Sequence, residues 1–287
     1  MDLSKYKVAK DTETTLSDYK VKVINDEEET LIKEELLPPL VEELQQLQTK
    51  LTAEAKQGVV VVLQALDAAG KDELIEYVFS NLMPQSLKIT SFDKPNEQEL
   101  KHDYLWRMAE GMPERGQIGI LNRSHYEEII APLIHDSLEN QPLPDRIKDD
   151  SEIIQKRFKH INNYEEYLYE NGFSVIKFYF NMSPEKQKER LLERLTNPEK
   201  QWEFSYSDIE DRRKWDEHQK VFEKMIRKTA NTHAPWYILP ADNAWFSRYV
   251  ATAAMVEVLK DLNPQFPEIS NEEQKKMDKA IDELKQE

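Results

Sequence analysis

The chain contains no cysteine, and this absence excludes a disulfide framework and any metal site built on thiolates. No stretch approaches the roughly 18 consecutive apolar residues of a membrane-spanning helix, although 39% of the residues are hydrophobic. The first residues, Met1 to Tyr6, lack the apolar core of a signal peptide. We therefore expect a cytoplasmic protein, whose 287 residues form one or two domains.

Basic residues are in the minority, because 39 Lys and Arg stand against 55 Asp and Glu, a formal net charge of −16. Binding to nucleic acid needs a net basic surface, so this charge argues against a nucleic-acid partner. A polyanionic substrate would need local positive charge instead. Residues 184–228 come nearest to providing it, with 12 basic and 11 acidic residues, although such helices are usually solvated faces.

Short apolar runs alternate with helical patterns along the chain. Strands are predicted at 59–66, 87–92, 118–121, 173–180 and 236–239. Helices are predicted at 26–57 with a break at Pro38-Pro39, then at 71–83, 97–110, 124–134, 152–169, 184–195, 208–228 and 245–262. This order predicts an α/β fold in which a parallel sheet carries helices on both faces and binds ligands at the carboxyl ends of its strands. The domain then spans 25–262, between an N-terminal arm, 1–24, and a charged tail, 263–287.

The run 59–66 leads into Asp67-Ala68-Ala69-Gly70-Lys71, which is typical of a phosphate-binding P-loop. Backbone N–H groups of such a loop attract an anion, and Lys71 adds a full positive charge. The match is incomplete, since the first glycine is missing and Asp72 stands where a hydroxyl normally binds magnesium. Asp67 is the natural substitute, because a carboxylate is a good ligand for Mg²⁺. The alternative is a buried strand that enters a helix with an exposed lysine.

Asn122 and Arg123 follow the third predicted strand. Parallel strands end at one edge of their sheet, so this pair should meet the segment Asp67–Lys71. Arginine suits bidentate binding of phosphate, although a surface ion pair is the plainer interpretation. Arg115 precedes the same strand, and it could reach the phosphates only if its loop folded over.

The histidines show no metal-ligand spacing, so the sequence predicts no metal site built on them. They are His102, His125, His135, His160, His218 and His233.

Five ordered motifs resemble the polyphosphate kinase 2 family. They are 66–72 (LDAAGKD), 102–107 (HDYLWR), 113–116 (PERG), 122–128 (NRSHYEE) and 233–237 (HAPWY). The form Asn122-Arg123-Ser124 resembles the class III members, which phosphorylate both AMP and ADP. The resemblance covers roughly residues 25–262.

The resemblance implies a three-layer P-loop kinase-like fold with a helical lid at about 184–215. It implies reversible transfer of a phosphoryl group from inorganic polyphosphate to AMP or ADP. The implied cofactor is Mg²⁺, with Mn²⁺ as an alternative, and the implied assembly is a homodimer or homotetramer.

The resemblance also assigns roles by position, with Asp67 as the magnesium ligand. Its catalytic set is Asp67, Lys71, Asn122, Arg123 and Glu127. Its phosphate- and nucleotide-binding set is Ala68, Ala69, Gly70, Lys71, Asp72, Arg115, Arg123 and Glu128. The residues that it assigns to the polyphosphate chain in the lid are Lys188, Arg190, Arg194 and Arg213.

Two residues depart from the family pattern. Glu73 stands where members often carry serine, and Asp93 stands where many carry lysine. Together with the neutral Asn122, these residues favour one alternative, a nucleotide-binding regulator with weakened catalysis. A second alternative, a nucleoside monophosphate kinase that uses ATP as donor, fits a P-loop and a lid equally well.

Overall fold

The computed structural model describes residues 2–10 and 13–287. Five strands form one sheet: β1 (Gly58–Gln64), β2 (Leu87–Ser91), β3 (Ile118–Asn122), β4 (Phe173–Asn181) and β5 (Trp236–Pro240). Their order is β2-β3-β1-β4-β5, and every neighbouring pair is parallel. The sheet confirms the predicted α/β class, and each observed strand lies within two residues of its predicted bounds.

The helices alternate with these strands. The first three are α1 (Asp26–Leu31), α2 (Leu37–Glu54) and α3 (Lys71–Tyr77). Those that follow β2 and β3 are α4 (Trp106–Gly111), α5 (Glu127–His135), α6 (Asp145–Lys148) and α7 (Ile153–Glu170). The remaining ones are α8 (Pro184–Thr196), α9 (Tyr206–Arg213), α10 (Trp215–Thr229), α11 (Ala244–Leu262) and α12 (Asn271–Leu284). A π-helical turn, Ile32–Leu36, joins α1 to α2 directly before the predicted break at Pro38-Pro39.

The central strand β1 shows why the chain forms three layers. Successive side chains of a strand point to opposite faces, and Val59 and Val61 enter one apolar cluster while Val60 and Val62 enter another. The first cluster includes side chains of α2 and α11, and the second includes side chains of α5, α7 and α10. All four valines are fully buried, as expected for a parallel sheet covered on both faces.

The predicted helix over 97–110 is shorter in the structure, where only its last part forms α4. The Asp103 carboxylate accepts a hydrogen bond from the Leu105 N–H at 3.0 Å, which favours a turn at this point. Arg107 of α4 pairs with Glu99, with Nε and Oε1 3.0 Å apart.

The predicted helix over 208–228 is divided in two. Lys214 has a non-helical backbone, with φ −99° and ψ 26°, and it separates α9 from α10. The division leaves α9 within residues 184–215, the segment predicted to form a lid and called the lid below, while α10 packs on α5 and α7.

The N-terminal segment, residues 3–8, lies along β5, one of the two outer strands of the sheet. The Val8 N–H donates to the Trp236 carbonyl at 2.9 Å, and the Ile238 N–H donates to the Tyr6 carbonyl at 2.8 Å. Leu3 is buried as well. The segment therefore covers backbone groups that an edge strand would otherwise expose.

At the other end of the chain, α12 buries none of its residues. Among the described residues, none of the helices combines the length and the apolar character that crossing a membrane requires.

Candidate active site

The loop between β1 and α3, residues 65–70, has an unusual backbone. Ala68 has φ 66° and Gly70 has φ 104°, both in the left-handed region. This region is uncommon for residues other than glycine, and such strain concentrates at ligand-binding loops. A Cβ on Gly70 would lie 3.3 Å from the guanidinium of Arg190, so glycine also leaves room for this lid residue. The loop with Lys71, the first residue of α3, is called the P-loop below.

The carboxyl end of β3 adjoins the P-loop, as the sequence predicted. Arg123, whose φ is 58°, places its Nη2 2.5 Å from Asp67 Oδ1. The neighbouring Asn122 donates from Nδ2 to Asp72 Oδ1 at 2.7 Å. Asn122, at the end of β3, and Arg123, in the following loop, thus each bind one carboxylate. These two carboxylates, Asp72 and Asp67, lie on either side of Lys71 in the sequence. The predicted meeting of the two strand ends is confirmed.

Lys71 is almost completely buried, with 6% of its surface exposed. Burial lowers the pKa of Lys71, and the nearby Arg123 adds to this effect although Asp67 opposes it. Within the described part of the chain, its ammonium has no hydrogen-bond or salt-bridge partner. A largely buried cation without a direct partner is costly on its own and gains most from an incoming anion.

Asp67 and Arg123 stabilise each other's charges. Burial alone would raise the pKa of Asp67, but the positive charges of Lys71 and Arg123 outweigh it and lower that pKa. Burial likewise disfavours the charge of Arg123, yet the carboxylates of Asp67 and Glu127 raise its pKa overall. Both groups are therefore ionised at neutral pH.

Glu127, the first residue of α5, behaves in the opposite way. Burial raises its pKa, and the charge of Asp67 adds to this effect, while Arg123 opposes it. Its side chain lies close enough to Arg123 and Lys71 for their charges to act on it. The site thus contains one carboxylate held ionised and one held closer to protonation.

Oxygen donors suitable for a divalent cation lie at the same edge of the sheet. Asn122 Oδ1 is buried and has no hydrogen-bond partner within the residues described. The amide nitrogen of the same side chain donates to Asp72, and the adjacent Arg123 contacts Asp67. Hard oxygen ligands of this kind suit Mg²⁺ or Mn²⁺, so the donor set fits such an ion.

The lid reaches the P-loop through Arg190. Its Nη1 donates to the Ala68 carbonyl at 3.0 Å and lies 3.3 Å from Glu73 Oε1. Glu73, a departure from the family pattern, is therefore the ion-pair partner of a lid arginine.

The other lid cations are distributed along α8 and α9. Arg194 pairs with Glu203, with Nε and Oε2 3.2 Å apart, and with Asp208, with Nη1 and Oδ2 3.4 Å apart. Lys188 is exposed, and Arg213 is exposed with its guanidinium 6.0 Å from the ring centre of Tyr206.

Sequence reasoning missed a link between the lid and the P-loop. Gln187 donates from Nε2 to the Asp67 carbonyl at 3.2 Å. Arg212 in turn donates to Gln187 Oε1 at 2.9 Å and to the Pro184 carbonyl at 2.8 Å. A glutamine in a charged helix carries no motif signal, and only the tertiary structure identifies it.

Two predicted binding residues do not join this cluster. Arg115 donates to the Lys56 carbonyl at 2.6 Å and stacks over Phe173, at the amino ends of β1 and β4. The seven-residue β1 separates it from the P-loop, a span of about 20 Å, so its assignment to the phosphates is corrected. Glu128 is buried among other partners, accepting from Arg157 Nη1 at 3.3 Å and from Gln141 Nε2 at 3.0 Å.

The fold and the site together define a P-loop protein that binds phosphate groups at the carboxyl edge of a parallel sheet. A comparison with family models matches residues 28–267 to polyphosphate kinase 2. The chain is 40% identical over 234 residues to the AMP/ADP-polyphosphate phosphotransferase of Meiothermus ruber, which covers 82% of this chain and 84% of that protein. It is 37% identical over 244 residues to the ADP-polyphosphate phosphotransferase of Rhodopseudomonas palustris, covering 85% and 84%.

A solved structure supports the same relationship. The crystal structure of polyphosphate kinase 2 from Arthrobacter aurescens superposes with a TM-score of 0.84 at 26% identity, covering 97% of this chain and 96% of that one. The chain belongs to the polyphosphate kinase 2 family. It is an enzyme that transfers phosphate between polyphosphate and nucleotides.

Proposed function

We propose that the protein uses inorganic polyphosphate to phosphorylate AMP and ADP, giving ADP and ATP, and that the transfer is reversible. The cluster of Lys71, Asp67 and Arg123 at the carboxyl ends of β1 and β3 carries this proposal. The names of the two relatives support the acceptors, since one includes AMP and ADP and the other ADP alone.

Phosphoryl transfer asks a protein chiefly to position two anions and to offset their charge. Among the residues that the structure describes, none forms a salt bridge with Lys71, so we assign Lys71 to binding the phosphoryl group during its transfer. Arg123, held by Asp67 in a fixed position, would bind the acceptor phosphate through its remaining N–H donors. No strong general base is required, because the attacking oxygen already belongs to a phosphate.

We assign Mg²⁺, with Mn²⁺ as an alternative, to the oxygen donors of Asp67, Asn122 and Asp72. When bound, the ion would supply Lewis-acid stabilisation of charge on the phosphate oxygens. The free Asn122 oxygen supports this assignment, because a buried acceptor without a donor is otherwise unfavourable.

The lid supplies the polyphosphate site in this proposal. Arg190 contacts the P-loop, and the charge of Arg194 acts on Asp67. Each arginine is paired with a carboxylate, Glu73 or Asp208, that the donor chain would replace. Closing the lid over the chain would exclude water and so limit hydrolysis.

A matrix of donors and acceptors tests the proposal. Purified protein receives polyphosphate or ATP as donor, AMP or ADP as acceptor, and Mg²⁺. We expect transfer from polyphosphate to both acceptors, and we expect Lys71→Ala to reduce it by about 10²–10³-fold, the usual cost of one preorganised donor. Lys276→Ala, at an exposed position of α12, is the matched control.

Each result distinguishes the proposed function from its two alternatives. Equal transfer by Lys71→Ala and the control would remove Lys71 from the mechanism. Transfer to AMP from ATP alone would favour the nucleoside monophosphate kinase, and nucleotide binding without turnover would favour the regulator. The relatives named above favour neither alternative, because both are named for polyphosphate.

A further inference from the structure

Three side chains meet outside the active site, where α5, α9 and α10 come together. His135 ends α5, Asp211 lies in α9, and His218 lies in α10. Asp211 Oδ1 is 3.0 Å from His135 Nε2 and 3.5 Å from His218 Nε2. All three ligand atoms lie within 4.8 Å of one another. Residue spacing showed no sign of this group, because folding unites residues that are far apart along the chain.

The polar atoms of this cluster lack hydrogen bonds. His218 is 4% exposed, and neither of its ring nitrogens has a hydrogen-bond partner in the described part of the protein. Asp211 Oδ1 is buried and is likewise without a hydrogen bond there, despite its short distance to His135. Unsatisfied polar groups are costly when buried, and they converge here on one point.

The two separations from Asp211 suit a tetrahedral metal ion. Two ligand atoms bound at about 2.0–2.1 Å in tetrahedral geometry lie about 3.3 Å apart, which falls between the two observed separations. Two imidazoles with one carboxylate favour Zn²⁺ and similar first-row ions over Mg²⁺ or Ca²⁺. The side chain of His135 is 43% exposed, so an ion can reach the site from solvent.

We propose that His135, Asp211 and His218 bind one Zn²⁺ or a similar transition-metal ion, with a fourth position left to water. The ion would join α9, a lid helix, to α5 and α10 of the body. Lys214 already makes a contact of this kind nearby, since its Nζ donates to the Ile134 carbonyl at 2.6 Å. The site would set the position from which the lid moves, and it lies apart from the phosphate-binding cluster at Asp67.

Metal binding to the full chain tests the proposal directly. Protein treated with a chelator is dialysed and titrated with Zn²⁺ or Co²⁺ alone, because nucleotide and polyphosphate would bind these ions themselves. We expect one ion per chain, the visible absorption of tetrahedral Co²⁺, and a higher melting temperature with metal. His135→Ala should bind at least about 100-fold more weakly, since even outer partners of a ligand contribute 10–100-fold.

Further variants separate ligand loss from misfolding. His218→Gln keeps the size of the buried side chain and should lose the Co²⁺ spectrum, with circular dichroism checking its fold. His102→Ala is the matched histidine control, and Asp67→Asn tests independence from the active site; both should bind like wild type. Equal binding by wild type, His135→Ala and His218→Gln would overturn the proposal, as would the absence of binding to wild type at micromolar metal.

Discussion

Two clusters of buried charge lie beside the central sheet, and they differ in how their charges are satisfied. In one, Lys177 of β4 donates to Glu165 at 2.5 Å, to the Tyr126 hydroxyl at 3.1 Å and to the Thr229 carbonyl at 2.8 Å. An ammonium has three donors, so all of them are used. In the other cluster, at the P-loop, Lys71 has no such partner in the described residues.

The difference separates the structural role of Lys177 from the catalytic role that we propose for Lys71. Burial alone would raise the pKa of Glu165, but Lys177 outweighs it and lowers that pKa. Burial also lowers the pKa of Lys177, yet all three of its donors have acceptors, so the cluster is complete. Within the described residues, the Lys71 cluster contains a cation without a salt bridge and an Asn122 oxygen without a hydrogen bond, which suits the anion and metal binding that we propose. Burial and charge alone do not indicate a functional site; unused donors and acceptors do.

Breaking the cluster around Lys177 should have the largest effect, and this effect should be on the free energy of unfolding. Lys177→Met leaves the carboxylate of Glu165 buried without its cation, and we expect a loss of about 3–5 kcal/mol in the free energy of unfolding. Urea denaturation measures this change. The double variant Lys177→Met, Glu165→Gln should recover part of the loss, because it leaves no charge unpaired.

Lys276→Met, on the exposed face of α12, is the control for this substitution. A loss below about 1 kcal/mol for Lys177→Met, the range of exposed ion pairs, would contradict the structural role.

A change in the cluster around Lys71, at the P-loop, should affect activity more than stability. Asp67→Asn removes the carboxylate that we assign to Mg²⁺ and that holds Arg123. We expect transfer to fall about 10²-fold, or about 2.7 kcal/mol, with more Mg²⁺ needed for half-maximal rate. The free energy of unfolding should change by only about 1 kcal/mol, since the ion pair is partly exposed.

Initial rates across a magnesium titration measure this effect, with Asp278→Asn in the exposed α12 as the matched control. A magnesium dependence identical to that of wild type would exclude Asp67 as a ligand.

The smallest effect should come from the pH dependence of stability, where two carboxylates of the same cluster act with opposite sign. The pKa of Asp67 lies below its ordinary value of 3.8, so its contribution is complete above pH 3.8 and is lost as pH falls through the folded pKa. The pKa of Glu127 lies above its ordinary value of 4.5, so its contribution is present below pH 4.5 and is lost as pH rises.

Urea denaturation between about pH 3 and pH 7 checks these signs. Asp67→Asn should lose stability less steeply than wild type on acidification. Glu127→Gln should lose less stability than wild type as pH rises. Identical pH profiles for both variants and wild type would rule out this difference between the carboxylates.

Local patterns were enough to predict the sheet and the P-loop. The run Val59–Val62 is apolar on both faces, and only a central strand covered by two layers needs that. The meeting of Asp67 with Arg123 followed from the parallel order of strands alone. These features depend on neighbours in sequence and on one topological rule.

Other features depend on contacts that no local pattern encodes. Lys177 sits in a strand that otherwise reads as apolar, and its partner Glu165 belongs to the preceding helix. His135 and His218 are far apart in sequence and meet only because α5 and α10 pack together. Arg115 was placed with the phosphates by motif resemblance, whereas its position before β3 puts it at the far edge of the sheet.

The ion pairs of the lid have a consequence for selectivity. Since Arg190 and Arg194 already contact Glu73 and Asp208, binding a phosphate there exchanges one anion for another and releases few ions from solution. A single phosphate must displace each carboxylate in a separate event. A polymer, once anchored at one arginine, reaches the next at high effective concentration. If the lid binds the donor chain as proposed, its acidic partners favour long chains over free phosphate.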